Sequence, residues 1–313
     1  MASTQDLKRR VRSISNTRKL TRAMELVASA RLRRAQQRIE AMRPYADRML
    51  ELMAGTAQAA GAVRLPLLEQ RDSVTTVGIV PVTGDRGLAG AFNAQVLRRA
   101  FAEMRELEAS GMNVTFFTSG KKAQSTVRFR RLSLAGSWTG FSDRPAYSDA
   151  QAIAHAVSEA FVNGEVDRVI LVYNAFVSPL VQKVTVSALL PISTEALQTA
   201  HGEGAEQGPA GEGSPHDGSA SDLGAQHLDF FFEPEPRQIL ERLLPVYVET
   251  ELYRALLESA ASEQGARMTA MRNASKAAGE LIDSLTLAMN RARQAEITQE
   301  ILEVVAGADA LTQ

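Results

Sequence analysis

Apolar residues recur every three and four positions at both ends of this 313-residue chain, and gather in short β-branched runs between them. Two interleaved heptad rows run from the N-terminus. One reads Leu7, Ile14, Thr21, Ala28, Ala35, Met42 and Met49, and the other Val11, Arg18, Glu25, Leu32, Ile39, Ala46 and Met53. Eleven of these fourteen positions are apolar and the exceptions fall between Arg18 and Glu25, so the rows predict a long coiled-coil helix. Ser3 and Asp6 have capping-box spacing, which sets its start near Ser3. Pro44 lacks a backbone donor and is expected to bend the helix.

The C-terminal end has the same grammar. No proline follows Pro245, and Leu252, Leu256, Ser259, Glu263, Ala266, Ala270, Asn273, Ala277, Leu281, Leu285, Ala288, Ala292 and Ala295 step by three and four. This predicts a helical stripe over 246–306, about 90 Å long at ~1.5 Å per residue. Neither helix is stable alone in water, and the two most economically bury their stripes against each other as an antiparallel coiled coil. Ile301, Leu302, Val304, Val305, Ala306, Ala308 and Leu311 point around the whole circumference of the last turns, with only Glu303 and Asp309 charged. A thin two-helix shaft cannot bury such an end, so a separate protein must surround it.

The middle changes period. Residues 74–80, 113–118, 168–173 and 181–190 read as strands, and helical patterns run over 91–108 and from a Ser148–Gln151 capping box to about Val162. Strands alternating with helices of this length imply βαβ units and a mainly parallel sheet. The fold class expected is therefore α/β: a long antiparallel coiled coil carrying an inserted Rossmann-like α/β domain. The expected divisions are 1–58 (first shaft helix), 73–195 (α/β domain), 199–227 (insertion) and 228–313 (foot strand and second shaft helix). The 199–227 segment holds seven glycines, five acids and no Lys or Arg, a composition that predicts an unpacked loop.

Charge and chemistry narrow the function. The net charge is −1, yet residues 1–43 alone carry +9, an Arg-rich bias of the kind seen in transit peptides and in nucleic-acid-binding arms. Cysteine is absent, which removes disulfides, thiolate metal sites and a cysteine nucleophile together. The turn Gly84-Asp85-Arg86-Gly87-Leu88-Ala89-Gly90 sits where a nucleotide-binding fold cradles phosphate, but its G-x-x-G-x-x-G spacing matches neither common phosphate fingerprint. His201, His216 and His227 fall in the glycine-rich loop, which offers no fixed geometry for a metal, and His155 has no catalytic pattern around it. Three readings stay open on these residues: a coiled coil that docks on a protein partner, a nucleotide-dependent enzyme using the α/β domain, and a basic coiled-coil nucleic-acid binder.

Four stretches decide among them. Residues 297–310 (ITQEILEVVAGADA), 14–28 (ISNTRKLTRAMELVA), 84–93 (GDRGLAGAFN) and 262–271 (SEQGARMTAM) resemble, in order, the motifs of the F-type ATP synthase gamma subunit family. The resemblance spans essentially the whole chain except 199–227. It implies a bacterial rotor subunit, without catalytic chemistry or cofactor of its own, peripheral at the cytoplasmic face of the membrane. It implies partners in the alpha and beta subunits, the epsilon subunit and the c-ring, and no nucleic acid. Position by position it assigns Arg293, Gln294 and Thr298 to a catch on the alpha–beta ring. Asp85, Arg86 and Gly87 match a turn approaching a beta-subunit lever, Met24 and Arg267 match coupling positions of the shaft, and Phe230 and Glu233 a foot on the c-ring. The 199–227 segment enters where chloroplast members carry a redox-switching cysteine pair; without cysteine that chemistry is impossible, leaving a linker or a salt-sensitive brake.

Overall fold

The computed structural model describes residues 4–60, 65–71, 73–192 and 235–311. Two helices dominate it, α1 (Thr4–Ala60) and, at the other end, a 76-residue helix over Pro236–Leu311. Between them run β1 (Thr76–Pro81), α2 (Phe92–Ala109), β2 (Asn113–Ser119), α3 (Lys121–Phe129), β3 (Leu134–Trp138), α4 (Tyr147–Val162), β4 (Arg168–Phe176) and β5 (Gln182–Leu190). The C-terminal helix is then α5. None of the described helices is long and apolar enough to cross a membrane.

The sheet has the order β3-β2-β1-β4-β5, parallel throughout except for β5, which returns antiparallel along β4. Alternation along the strands sends side chains to two cores. Val77 and Ile79 of β1 and Ile170 and Val172 of β4 meet Val96, Ala100 and Phe101 of α2. Val80, Val169, Leu171 and Tyr173 face the other way, onto Ile153 and Val157 of α4 and Leu240, Leu244, Val248 and Leu252 of α5, joined by Met49 and Met53 of α1. The shaft thus forms one wall of the larger core.

The helices pair antiparallel. Thr4 Oγ1 donates to Glu296 Oε2 (3.0 Å), Arg272 Nε to Glu25 Oε1 (2.9 Å), and Ala28 and Leu32 pack with Ala261 and Met268. On α1 the predicted rows hold: every position but Arg18 is buried or half-buried. On α5 the predicted stripe holds through Ala270 and then fails. Asn273, Ala277, Leu281, Ala288 and Ala295 are exposed, and the sheltered positions are Met271, Ser275, Ala278, Ile282, Leu285, Met289 and Ala292, a true heptad that shares only Leu285 and Ala292 with the predicted stripe. Alanine on both faces hid that register.

Other departures are local. α1 continues through Pro44, and α5 begins ten residues earlier than expected and runs through Pro245. The four apolar side chains that α5 buries around Pro245 contribute about 2 kcal/mol each, which exceeds the ~3 kcal/mol cost of an interior proline. The helix α4 starts at Tyr147, with the Asp149 carboxylate accepting from the Ala146 N–H (2.8 Å), in place of the Ser148 cap. The elements α3 and β3 were not predicted. Ser3, the foot strand and the 199–227 segment lie outside the described residues.

Candidate functional site

Where the sheet meets the shaft, the β1–α2 turn is built from short polar links. Gly84 N donates to Asn93 Oδ1 (2.8 Å), closing the turn onto the first turn of α2. The Asp85 carboxylate accepts from the N–H groups of Lys121 (2.9 Å), Gly140 (2.9 Å) and Ser142 (3.1 Å), so it ties the turn to the start of α3 and to the loop before α4. Its oxygens are spent inside the fold. Arg86, Gly87 and Leu88 are exposed instead, and Leu88 is held at φ +62° with 65% of its surface in water. A leucine in the left-handed region is a strained conformer, retained only where its surroundings fix it.

The helix α5 lies across the C-terminal ends of β1 and β4. A Cβ added to Gly84 would stand 2.7 Å from the Glu263 carboxylate, so any side chain there would displace that carboxylate. Ser262 Oγ donates to Asn174 O (3.1 Å), and Glu258 accepts from the Phe176 N–H (3.4 Å). In this strand order the crevice beside β1 is where a doubly wound sheet takes a ligand. Here Ser262 and Glu263 fill it.

The Glu263 side chain is almost fully buried, and burial pushes its carboxyl above the usual range while Arg267, 2.5 Å away, works in the opposite direction. Arg267 also reaches the carbonyl of Gly87 (3.4 Å) and lies 3.8 Å from Asp143. Asp143 in turn accepts from Arg31 of α1 (2.8 Å) and Gln264 of α5 (3.1 Å), with Arg86 at 3.7 Å. One polar clamp therefore fastens α1, α5, the β1–α2 turn and the loop before α4.

Arg86, Gly87 and Arg267 come together in this clamp. Met24 is 45% exposed on α1, next in sequence to Glu25 of the Glu25–Arg272 pair. Arg293, Gln294 and Thr298 form a separate exposed group on α5, where the Thr298 hydroxyl bonds back to the Gln294 carbonyl (2.9 Å). Phe230 and Glu233 lie outside the described residues. Sequence reasoning missed Arg31, Asp143, Glu263, Gln264 and Leu88 as members of these surfaces. The Glu263–Arg267 i,i+4 spacing was the one local signal available.

Among the described residues the pairing of α1 reaches Thr4 opposite Glu296, and the turns of α5 beyond it meet no described partner. Ile297, Ile301, Leu302, Val304 and Val305 are all exposed there, with Val304 at 72%. This helix end therefore presents a contiguous apolar surface to solvent.

Residues 3–311 match the family described as ATP synthase. An ATP synthase gamma chain from Rubrobacter xylanophilus is 46% identical over 313 residues, covering 99% of each chain. One from Nostoc sp. is 44% identical over 316 residues, covering 100% of both. Among solved structures, a chain of the Tetrahymena thermophila mitochondrial ATP synthase central stalk and c-ring superposes with a TM-score of 0.55 at 25% identity, over 82% of this chain and 99% of its own. A chain of the Euglena gracilis mitochondrial ATP synthase, 18% identical, shares the fold with a TM-score of 0.65 over 98% of this chain and 94% of its own. With its motifs, paired terminal helices and sheet all matched end to end, this chain belongs to the ATP synthase gamma chain family.

Proposed function

We propose that the chain is the central-stalk rotor subunit of a bacterial ATP synthase, coupling proton-driven rotation of the c-ring to conformational change at the beta-subunit catalytic sites. The observation that carries this reading is the helix end. An α-helix that exposes Ile297, Ile301, Leu302, Val304 and Val305 on one broad face and outruns its partner needs a sleeve, and the alpha–beta ring supplies one. Arg293, Gln294 and Thr298, exposed just below it, serve as its polar catch on that ring. The turn of Asp85, Arg86 and Gly87 faces a beta-subunit lever from the neck, with Asp85 holding the turn in place, while Met24 and Arg267 serve coupling in the shaft, where Arg267 reaches the Gly87 carbonyl. Phe230 and Glu233 belong to the foot, where the epsilon subunit and the c-ring meet the rotor.

On this reading the chain carries out no bond chemistry. The crevice where a related sheet takes a nucleotide is filled by Ser262 and Glu263, which supports coupling over catalysis. Its work is a set of contacts that differ between successive beta-subunit conformations. The shaft is 1–58 with the helical part of 228–313, the body is 73–195, and the assembly sits peripherally on the cytoplasmic face of the membrane.

Arginine presents a fixed bidentate fork that other residues do not reproduce. Arg293→Ala is therefore expected to lower ATP turnover of the reconstituted alpha–beta–gamma complex about tenfold while assembly yield changes little. Equal losses of turnover and assembly would assign Arg293 a purely structural part.

A further inference from the structure

Two adjoining cavities lie beside α1, away from the helix end. The smaller, about 330 Å³, is walled by Arg31, Arg34 and Arg38 of α1, Asp143 and Arg144 of the loop before α4, and apolar Leu257 and Ala260 of α5. The larger, about 770 Å³, shares Arg38 and Arg144 and adds Tyr45, Tyr147 and Tyr253. Four guanidinium groups thus line one continuous groove. Among the described residues only Arg31 has a carboxylate partner, Asp143 at 2.8 Å, and that carboxylate already faces Arg86 and Arg267 as well. The 31, 34, 38 spacing stacks three like charges on one helix face, an arrangement that destabilises a helix unless an anion relieves it.

The groove has the dimensions and composition of a ligand site: concave, apolar-floored, with a few convergent donors. Planar guanidinium forks match phosphate oxygens two at a time, and several of them select a ligand of several charges. Beyond the arginines stands an aromatic wall. The rings of Tyr147 and Tyr253 meet edge to face at 5.5 Å, and half of Tyr45 is open to solvent. An exposed aromatic ring beside a phosphate site suits a stacked base.

We propose that this groove binds a polyphosphate anion, with Arg34, Arg38 and Arg144 on its phosphate oxygens and the tyrosines beside any attached base. The proposal goes beyond the rotor reading and does not rest on it. Such a site allows a soluble phosphate compound to act on the neck of the shaft, next to the clamp that joins body to helices.

Calorimetric titration of the full-length chain at low salt tests this, with inorganic tripolyphosphate, ATP and an Asp-rich peptide as separate probes. Tripolyphosphate is expected to bind, more weakly as salt rises. The Arg34→Ala/Arg38→Ala variant, checked for native helix content by circular dichroism, is expected to lose about tenfold or more in affinity. ATP binding tighter than tripolyphosphate, with the advantage lost in Tyr45→Ala, supports the proposal and identifies a nucleotide. Equal affinities support it and identify bare polyphosphate. The proposal is overturned if neither phosphate compound binds at millimolar concentration, if the folded double variant binds as well as the parent, or if the acidic peptide alone binds.

Discussion

Arg267 and Glu263 stand one helical turn apart, and each is the reason the other tolerates burial. Removing the arginine alone strands a carboxylate in the core, which costs about 3–5 kcal/mol. Arg267→Ala is therefore expected to lower the thermal denaturation midpoint sharply, and adding Glu263→Gln to recover part of the loss by removing the stranded charge. A double variant less stable than Arg267→Ala would refute the pairing. Asp167 makes a second test at the opposite end of the sheet. Burial acts to raise its carboxyl, but Thr75 Oγ1, the N–H groups of Thr76 and Thr75, and Arg71 outweigh that and hold it well below the usual carboxylate range. A depressed folded-state pKa gives stability that is present above the unfolded value, near 3.9, and is lost as pH falls below it. Asp167→Asn is thus expected to cost about 2–3 kcal/mol at neutral pH, and urea unfolding near pH 3 should show the difference shrinking. These residues were hard to find in the sequence because their links are non-local: Asp143 meets Arg31 and Gln264 from more than a hundred residues away. Arg86 and Gly87, by contrast, lie within one short contiguous turn that its glycines mark in the sequence.

Among the elements, legibility followed length and apolar content. The strands β1, β2, β4 and β5 and the helices α1, α2 and α4 repeat their buried positions often enough to be read. The nine-residue α3 buries only Ala123 and Val127, and β3, LAGSW at the sheet edge, has no β-branched residue, so neither carries a usable period. Beyond Ala270 the α5 seam meets the predicted stripe only at Leu285 and Ala292, because alanines at 277, 278 and 288 fit either register. The helix end was read from composition alone, since a run this rich in Ile, Leu and Val stands out without a register. Truncation after Glu300 tests it. The shortened chain is expected to keep its sheet and clamp, with an unchanged near-ultraviolet dichroism, while its assembly with the alpha–beta ring falls severalfold. Assembly and turnover equal to those of the full chain would show that the end is dispensable.

At the scale of the molecule, two helices of 57 and 76 residues form a stiff shaft whose lower half is embedded in the core of the body. That shared core makes the sheet a handle on the shaft, because neither can turn without the other. The upper end offers apolar surface and the neck offers charge, so torque entering at the body leaves through side chains about 60 Å away, the length of α5 from Gln264 to Ala306 at ~1.5 Å per residue. The chain contains no cysteine, which lets a single introduced thiol be labelled uniquely. The most direct measurement attaches a bead at Ser110→Cys, an exposed position at the end of α2, in complexes immobilised through the alpha–beta ring. On addition of ATP the bead is predicted to turn in one direction in discrete steps; a complex that hydrolyses ATP at the full rate while the bead stays still would contradict the account.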